Sequence, residues 1–209
     1  MNSKQSFPDS FLTIENSYQK SLKIRNSTFI SFAFPITSKA DAAYRISEIQ
    51  KEHHTASHIC FAYILEPDSK SFHYTDAGEP HGTAGIKIYN SIKVKNLTNV
   101  LVAVVRYFGG TKLGIGPLGK AYSQAGDEVL VKVKKIQKFL YSTFKFKLKY
   151  EEFNNISKIL NEYSLEEINP IFTDNVKVVI KVRKSMRKEF ENKMLDFFRG
   201  ERTWSEIDD

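Results

Sequence analysis

Side chains able to do chemistry gather in one stretch of this 209-residue chain. All five histidines lie between His53 and His81, and nine of the ten glycines between Gly78 and Gly126. In the loop that opens Asp76-Ala77-Gly78-Glu79-Pro80-His81-Gly82-Thr83, Asp76 and Glu79 flank Gly78, a spacing that suits an acid–base pair or a magnesium site. Carboxylates in glycine loops also form turns and cap helices by accepting backbone N–H bonds, and Glu79 stands where it could cap a helix beginning near residue 84. His54 and His58 have the four-residue spacing of metal ligands on a helix. A strand pattern starting at His58 breaks that geometry and no third ligand is placed, so no metal is expected. Cys60 shares a strand face with His58, as a Cys–His nucleophile would. Its neighbours Ile59, Phe61 and Ala62 point instead to a small buried apolar residue.

A second group follows. Arg106, Lys112 and Lys120 surround Gly109, Gly110 and Gly114 ahead of a helix, where unpaired N–H groups and the helix dipole favour an anion. The competing reading is a glycine turn needed only for packing, with solvated cations around it. Gly114-Ile115-Gly116-Pro117-Leu118-Gly119 spells G-x-G-x-x-G, but a dinucleotide fingerprint belongs in the turn directly after its strand, with an acidic residue about 20 positions later. Here Gly109 to Leu113 intervene and Lys138-Phe139-Leu140 stands downstream. Pro117 reads as the first residue of the helix.

The elements that must hold these groups follow from periodicity. Ser21 to Phe34 reads as a strand or hairpin, and Thr37 or Ser38 caps a helix over 39–54 with Ala42, Ile46 and Ile49 on one face. His58 to Leu65 alternates as a strand, Pro67 to Lys70 turns, and Ser71 to Thr75 returns. A helix over 84–93, a nearly continuous apolar strand from Asn99 to Phe108, and a helix over 117–131 complete this part. Residues 132–138, with four lysines, read as the link between domains. Phe139 to Tyr150 then alternates as a half-exposed strand, and Glu151 to Tyr163 is helical. Leu165 to Phe172 and Val176 to Val182 flank a turn at Thr173-Asp174-Asn175. A helix over Ser185 to Phe198 and a short strand over Thr203 to Ile207 give the order β-α-β-β-α-β of a ferredoxin-like domain.

Composition narrows the function classes. Apolar residues make up 41% and charged residues 26%, and 16 Phe and 10 Tyr supply a core, which excludes a wholly disordered chain. One cysteine excludes an intrachain disulfide and cysteine-rich zinc modules. The longest wholly apolar run, Val100 to Val105, is far short of the roughly 20 residues a membrane helix needs. The first twenty residues carry no stretch of signal-peptide length, so a cytoplasmic protein without membrane partners is expected. Net charge is +7, and all of the excess lies in residues 1–138, which hold 18 basic and 11 acidic side chains against 13 of each in 139–209. That asymmetry favours a polyanionic partner such as RNA, a ribosome or a phosphorylated ligand.

Four blocks carry a resemblance: His58 to Tyr63, Asp76 to Gly85, Val104 to Gly114, and Ala121-Tyr122-Ser123. In this order and spacing they resemble the IMPACT family, including its bacterial YigZ-type members, across roughly residues 20–130; the later segment resembles the C-terminal domain of the bacterial members. The resemblance implies an α+β protein of two domains. Residues 1–136 would form an N-terminal α/β sandwich with the fold of the second domain of a small-subunit ribosomal protein. Residues 137–209 would form a ferredoxin-like domain similar to the last domain of elongation factor G. Eukaryotic members regulate translation under amino-acid starvation and carry an additional N-terminal domain that the resemblance does not lead one to expect here. Two departures stand out. Asp76-Ala77 replaces the family's usual paired aspartates, and Gly116-Pro117 with Lys120 replaces adjacent glycines and an arginine.

These readings lead to a translation-associated regulator, non-enzymatic and without a cofactor, that binds RNA or ribosomes through Arg106, Lys112 and Lys120 on a surface shaped by Gly109, Gly110 and Gly114. His58, Asp76, Glu79, His81 and Thr83 form a second functional loop. Two alternatives stay open: a protein-interaction module in translation control, and an enzyme acting on a phosphorylated or peptide substrate through Asp76, Glu79, His58 or Cys60. Oligomeric state is left open.

Overall fold

The computed structural model describes residues 9–65 and 71–207; the turn expected at Pro67 to Lys70 lies outside the described residues. The chain divides into two compact units, Phe11–Lys138 and the residues from Phe139 onward together with Asp9 and Ser10. In order, the elements of the first part are β1 (Ser10–Ile14), β2 (Tyr18–Ile24), β3 (Ser27–Pro35), α1 (Lys39–Glu52), β4 (His58–Leu65), β5 (Ser71–Thr75), α2 (Gly85–Val94), β6 (Val100–Tyr107), α3 (Ile115–Val131) and β7 (Lys135–Phe139).

Five of these strands form one antiparallel sheet in the order β2-β3-β6-β4-β5. Alternation along β4 sends Cys60, Ala62 and Ile64 to the face covered by α2 and α3, with Phe29 and Ala33 of β3 and Val102 and Val104 of β6. Ile59, Phe61 and Tyr63 face the other way, towards the side on which α1 packs Ala42, Ile46 and Ile49. Helices on both faces explain why β6 is a nearly unbroken apolar run, buried from Val100 to Arg106. Ser38 caps α1, its hydroxyl accepting the Asp41 N–H at 3.1 Å.

The lysine-rich segment expected to be a linker is partly strand. β7 pairs with β1, the Glu15 N–H donates to the Lys134 carbonyl at 2.9 Å, and Lys134 Nζ lies 2.9 Å from the Glu15 carboxylate. Val133 is buried and Ile136 half-buried, so two apolar anchors stand among the charges of this segment without a strand's alternation to announce them.

The second unit runs β8 (Tyr141–Leu148), α4 (Tyr150–Tyr163), β9 (Ile171–Phe172), β10 (Val176–Arg183), a 3-10 turn (Lys184–Met186), α5 (Arg187–Phe197) and β11 (Trp204–Ile207). Its sheet order is β11-β8-β10-β9, with antiparallel pairing throughout. Phe144, Phe146 and Leu148 of β8 alternate with exposed Lys145 and Lys147 and pack with Val176, Val178 and Ile180 of β10 against Ile156, Leu160, Phe190 and Met194 of the two helices. Strand β9 is much shorter than the expected Leu165 to Phe172. Pro170 brings no N–H to a ladder, and ladder pairing as a strand is confined to Ile171–Phe172, while Ser164 keeps an isolated bridge to Val182.

Candidate functional site

Register brings the first group together. On β6, Arg106 stands opposite Phe29 of β3 on one side and His58 of β4 on the other, so all three lie in one row across the sheet. The Arg106 guanidinium is stacked between Phe29 and Phe108, 5.6 and 5.5 Å from their ring centres. Its Nη1 donates to Glu79 Oε1 at 2.7 Å, with the two side chains only 6% and 3% exposed. The Tyr122 hydroxyl of α3 donates to the same oxygen at 2.8 Å. Arg106 Nε is buried without a hydrogen-bond partner, so the guanidinium spends one nitrogen on Glu79 and keeps unsatisfied donor capacity.

His58 borders this pair. Its Nδ1 lies 2.9 Å from the Ala77 carbonyl oxygen, to which an Nδ1–H donates; Nε2 faces Glu79 Oε2 at 3.9 Å, beyond hydrogen-bond range. Asp76 does the work that the sequence suggested for Glu79. Its Oδ1 accepts the N–H groups of Ala84 and Gly85 at 2.9 and 2.8 Å and its Oδ2 that of Gly82 at 2.8 Å, closing the loop onto the start of α2. Burial would raise this carboxyl, but the donors Gly82, Gly85 and Ala84, with His81 beyond them, hold it below the ordinary carboxylate range. Glu79 therefore caps nothing; it is the buried counter-ion of Arg106.

Cys60 is fully buried. Its thiol donates to the Asp76 carbonyl at 3.0 Å and lies 3.5 Å from the Tyr122 hydroxyl. Burial pushes the thiol up to about 12, the Tyr122 hydroxyl opposing and the Glu79 and Asp76 charges adding to the shift. Such a group stays protonated and unreactive at neutral pH. Burial likewise raises the Tyr122 phenol. Among the described residues, no three His, Cys, Asp or Glu side chains come together as a metal site.

Above this buried network lies a cleft of about 430 Å³ whose walls include His58, Glu79, Pro80, Arg106, Phe108, Lys112, Leu113 and Leu118 and the start of α3 at Gly114 and Ile115. Gly114 opens the helix with φ 82° and ψ 158°, a conformation essentially reserved for glycine, and no side chain caps the turn. The helix begins at Ile115, so Pro117 is its third residue and not its first; the N–H groups of Ile115 and Gly116 have no acceptor within the helix. Lys112 is exposed at the cleft wall.

The two groups read separately in the sequence therefore share one cleft, but not every member reaches it. Lys120 is exposed on α3 and does not line the cleft. Gly109 acts in packing: a Cβ there would fall 1.8 Å from the Asn26 carbonyl oxygen. Gly110 is exposed outside the cleft lining. His81 projects into solvent, its Nδ1 3.7 Å from Asp76. Thr83 is buried and donates to the Pro80 carbonyl at 2.6 Å. Tyr122 was not singled out as a site residue. The available signal was a phenol on the buried face of α3, whose hydroxyl must find a partner.

The Impact N-terminal domain family matches residues 25–130. The IMPACT family member YvyE of Bacillus subtilis (strain 168) is 28% identical over 193 residues, covering 91% of this chain and 88% of that protein. The IMPACT family member YigZ of Escherichia coli (strain K12) is 27% identical over 180 residues, covering 85% and 88%. A solved crystal structure described as a hypothetical protein superposes with a TM-score of 0.69 at 25% identity, covering 95% of this chain and 97% of that one.

Proposed function

We propose that this chain, which belongs to the IMPACT family, acts in translation control by binding RNA or ribosomes, with the cleft seating a phosphate group. The observation that carries this reading is the convergence of three anion-seeking features on one cleft. These are the exposed Lys112, the uncapped first turn of α3, and Arg106, more than nine-tenths buried and with donor capacity left over. The positive excess of residues 1–138 supplies the longer-range attraction. The β-α-β-β-α-β order of the second unit, with its β11-β8-β10-β9 sheet, supports the ferredoxin-like assignment and the likeness to an elongation-factor domain.

The same geometry disfavours catalysis. Cys60 is protonated and buried, and Glu79 is committed to Arg106 and Tyr122. A protein-partner reading draws on the apolar mouth, where Phe108 and Ile115 are 46% and 72% exposed, and salt separates the two. Co-sedimentation with ribosomes and total RNA across a salt series should show binding that falls steeply with salt and weakens at least about tenfold in Lys112→Glu. Arg106 is left intact because its replacement would strand Glu79. Absence of binding at low salt, or binding insensitive to salt and to Lys112→Glu, would overturn the proposal, the second outcome favouring the protein-partner reading.

A further inference from the structure

Edge strand β5 carries aromatic rings on both faces. Phe72 and Tyr74 lie side by side with ring planes 9° apart and centres 6.3 Å apart, both resting on the buried Tyr89 of α2 at 5.0 and 5.8 Å. On the opposite face His73 sits 5.7 and 5.8 Å from Phe61 and Tyr63. Phe72 and Tyr74 nevertheless stay 47% and 39% exposed.

Within the described segment from Ser71 to Lys95, cations outnumber acids three to two. Between Ser71 and Lys95 the acidic residues are Asp76 and Glu79, and both are spent internally, on the Gly82, Ala84 and Gly85 amides and on Arg106 with Tyr122. The cations of the same segment are Lys87, Lys93 and Lys95. Lys93 Nζ lies 5.9 Å from the Tyr89 ring centre, while Lys95 lies 3.7 Å from Asp127. Near-parallel exposed rings with a cation beside them, here Lys93, are the two components of a surface that stacks bases and holds a phosphate.

We propose that the β5–α2 face is a platform for single-stranded nucleic acid, with bases stacked on Phe72 and Tyr74 and a phosphate held by Lys93. A duplex is a poor fit, because its base faces are already covered. This inference rests on the reading of the chain as an RNA-binding protein and adds a second contact to it, since Phe72, Tyr74, Tyr89 and Lys93 are absent from the cleft lining.

The test is fluorescence anisotropy of a labelled short oligouridine over a salt series, with the full chain and three variants. Phe72→Leu/Tyr74→Leu keeps apolar cover over Tyr89 but removes the flat faces, and should weaken binding about tenfold or more. Lys93→Gln should lower the salt slope by about 0.7, a readout that does not depend on the leucine variant folding. Lys112→Glu reports the cleft. Wild-type affinity in the leucine variant and an unchanged salt slope in Lys93→Gln, alongside loss in Lys112→Glu, would overturn the platform and leave the cleft standing. No oligouridine binding by the wild type at low salt would overturn both.

Discussion

Replacing Glu79 with alanine removes one half of a buried ion pair and leaves the other half in place. At 2.7 Å and an effective dielectric constant of about 20, the two charges attract by roughly 6 kcal/mol. Desolvation of both groups offsets most of that, so the intact pair adds little net stability. The variant is different: Arg106 keeps its desolvation cost without its partner, and the Tyr122 hydroxyl loses its acceptor. Breaking such a pair costs about 3–5 kcal/mol. Trp204, the single tryptophan, belongs to the other unit, so its fluorescence is a poor reporter. Native-state hydrogen exchange of β6 peptides reads the event directly. Their opening should become easier by that amount, about a hundredfold to a few thousandfold in exchange rate. Glu79→Leu/Arg106→Met, which removes both charges, should recover most of the loss. A Glu79→Ala effect below about 1 kcal/mol would refute the assignment of a buried, committed pair, as would a double variant that costs the sum of the two single substitutions.

The remaining expectations concern the loop beside that pair. Asp76→Asn should destabilise the Phe11–Lys138 unit by about 1–3 kcal/mol at neutral pH, because three backbone donors lose a charged acceptor. Its carboxyl is depressed in the folded chain, so its contribution is present above the ordinary value of 3.8 and is lost as pH falls below it. The gap between wild-type and Asp76→Asn urea midpoints should accordingly close as pH drops through that region. Ala77 holds a φ of 46°, which disfavours alanine and which asparagine tolerates; Ala77→Asn should raise thermal stability by about 0.5–1 kcal/mol, measured by calorimetry. Cys60 should resist iodoacetamide at pH 8 until urea unfolds the chain, and alkylation at the rate of an exposed thiol would contradict its burial.

Local pattern reached most of the elements. The bounds of β4 and β5 follow from alternation, and α1 from its cap and apolar face. It failed where charge or proline disguised the pattern, as at β7, where lysines surround Val133 and Ile136 in the sequence, and around Pro170. At the site, the loop and the glycine turn were each legible, but their union was not. Glu79 and Arg106 are 27 residues apart and Glu79 and Tyr122 are 43 apart, and they meet only when the loop before α2 and the buried face of α3 pack over β6.

The same limit explains why Arg106 and Lys120 read as equivalents of Lys112. Composition counts a charge without its partner. Folding neutralises Arg106 with Glu79, while the helical period already turns Lys120 away from the buried face of Leu118, Tyr122 and Ala125. Under the proposed reading, a polyanion would meet Lys112 at the cleft and Lys93 beside the β5 rings. Arg106 lies beneath, between Phe29 and Phe108 and paired with Glu79, where it helps to form the cleft floor.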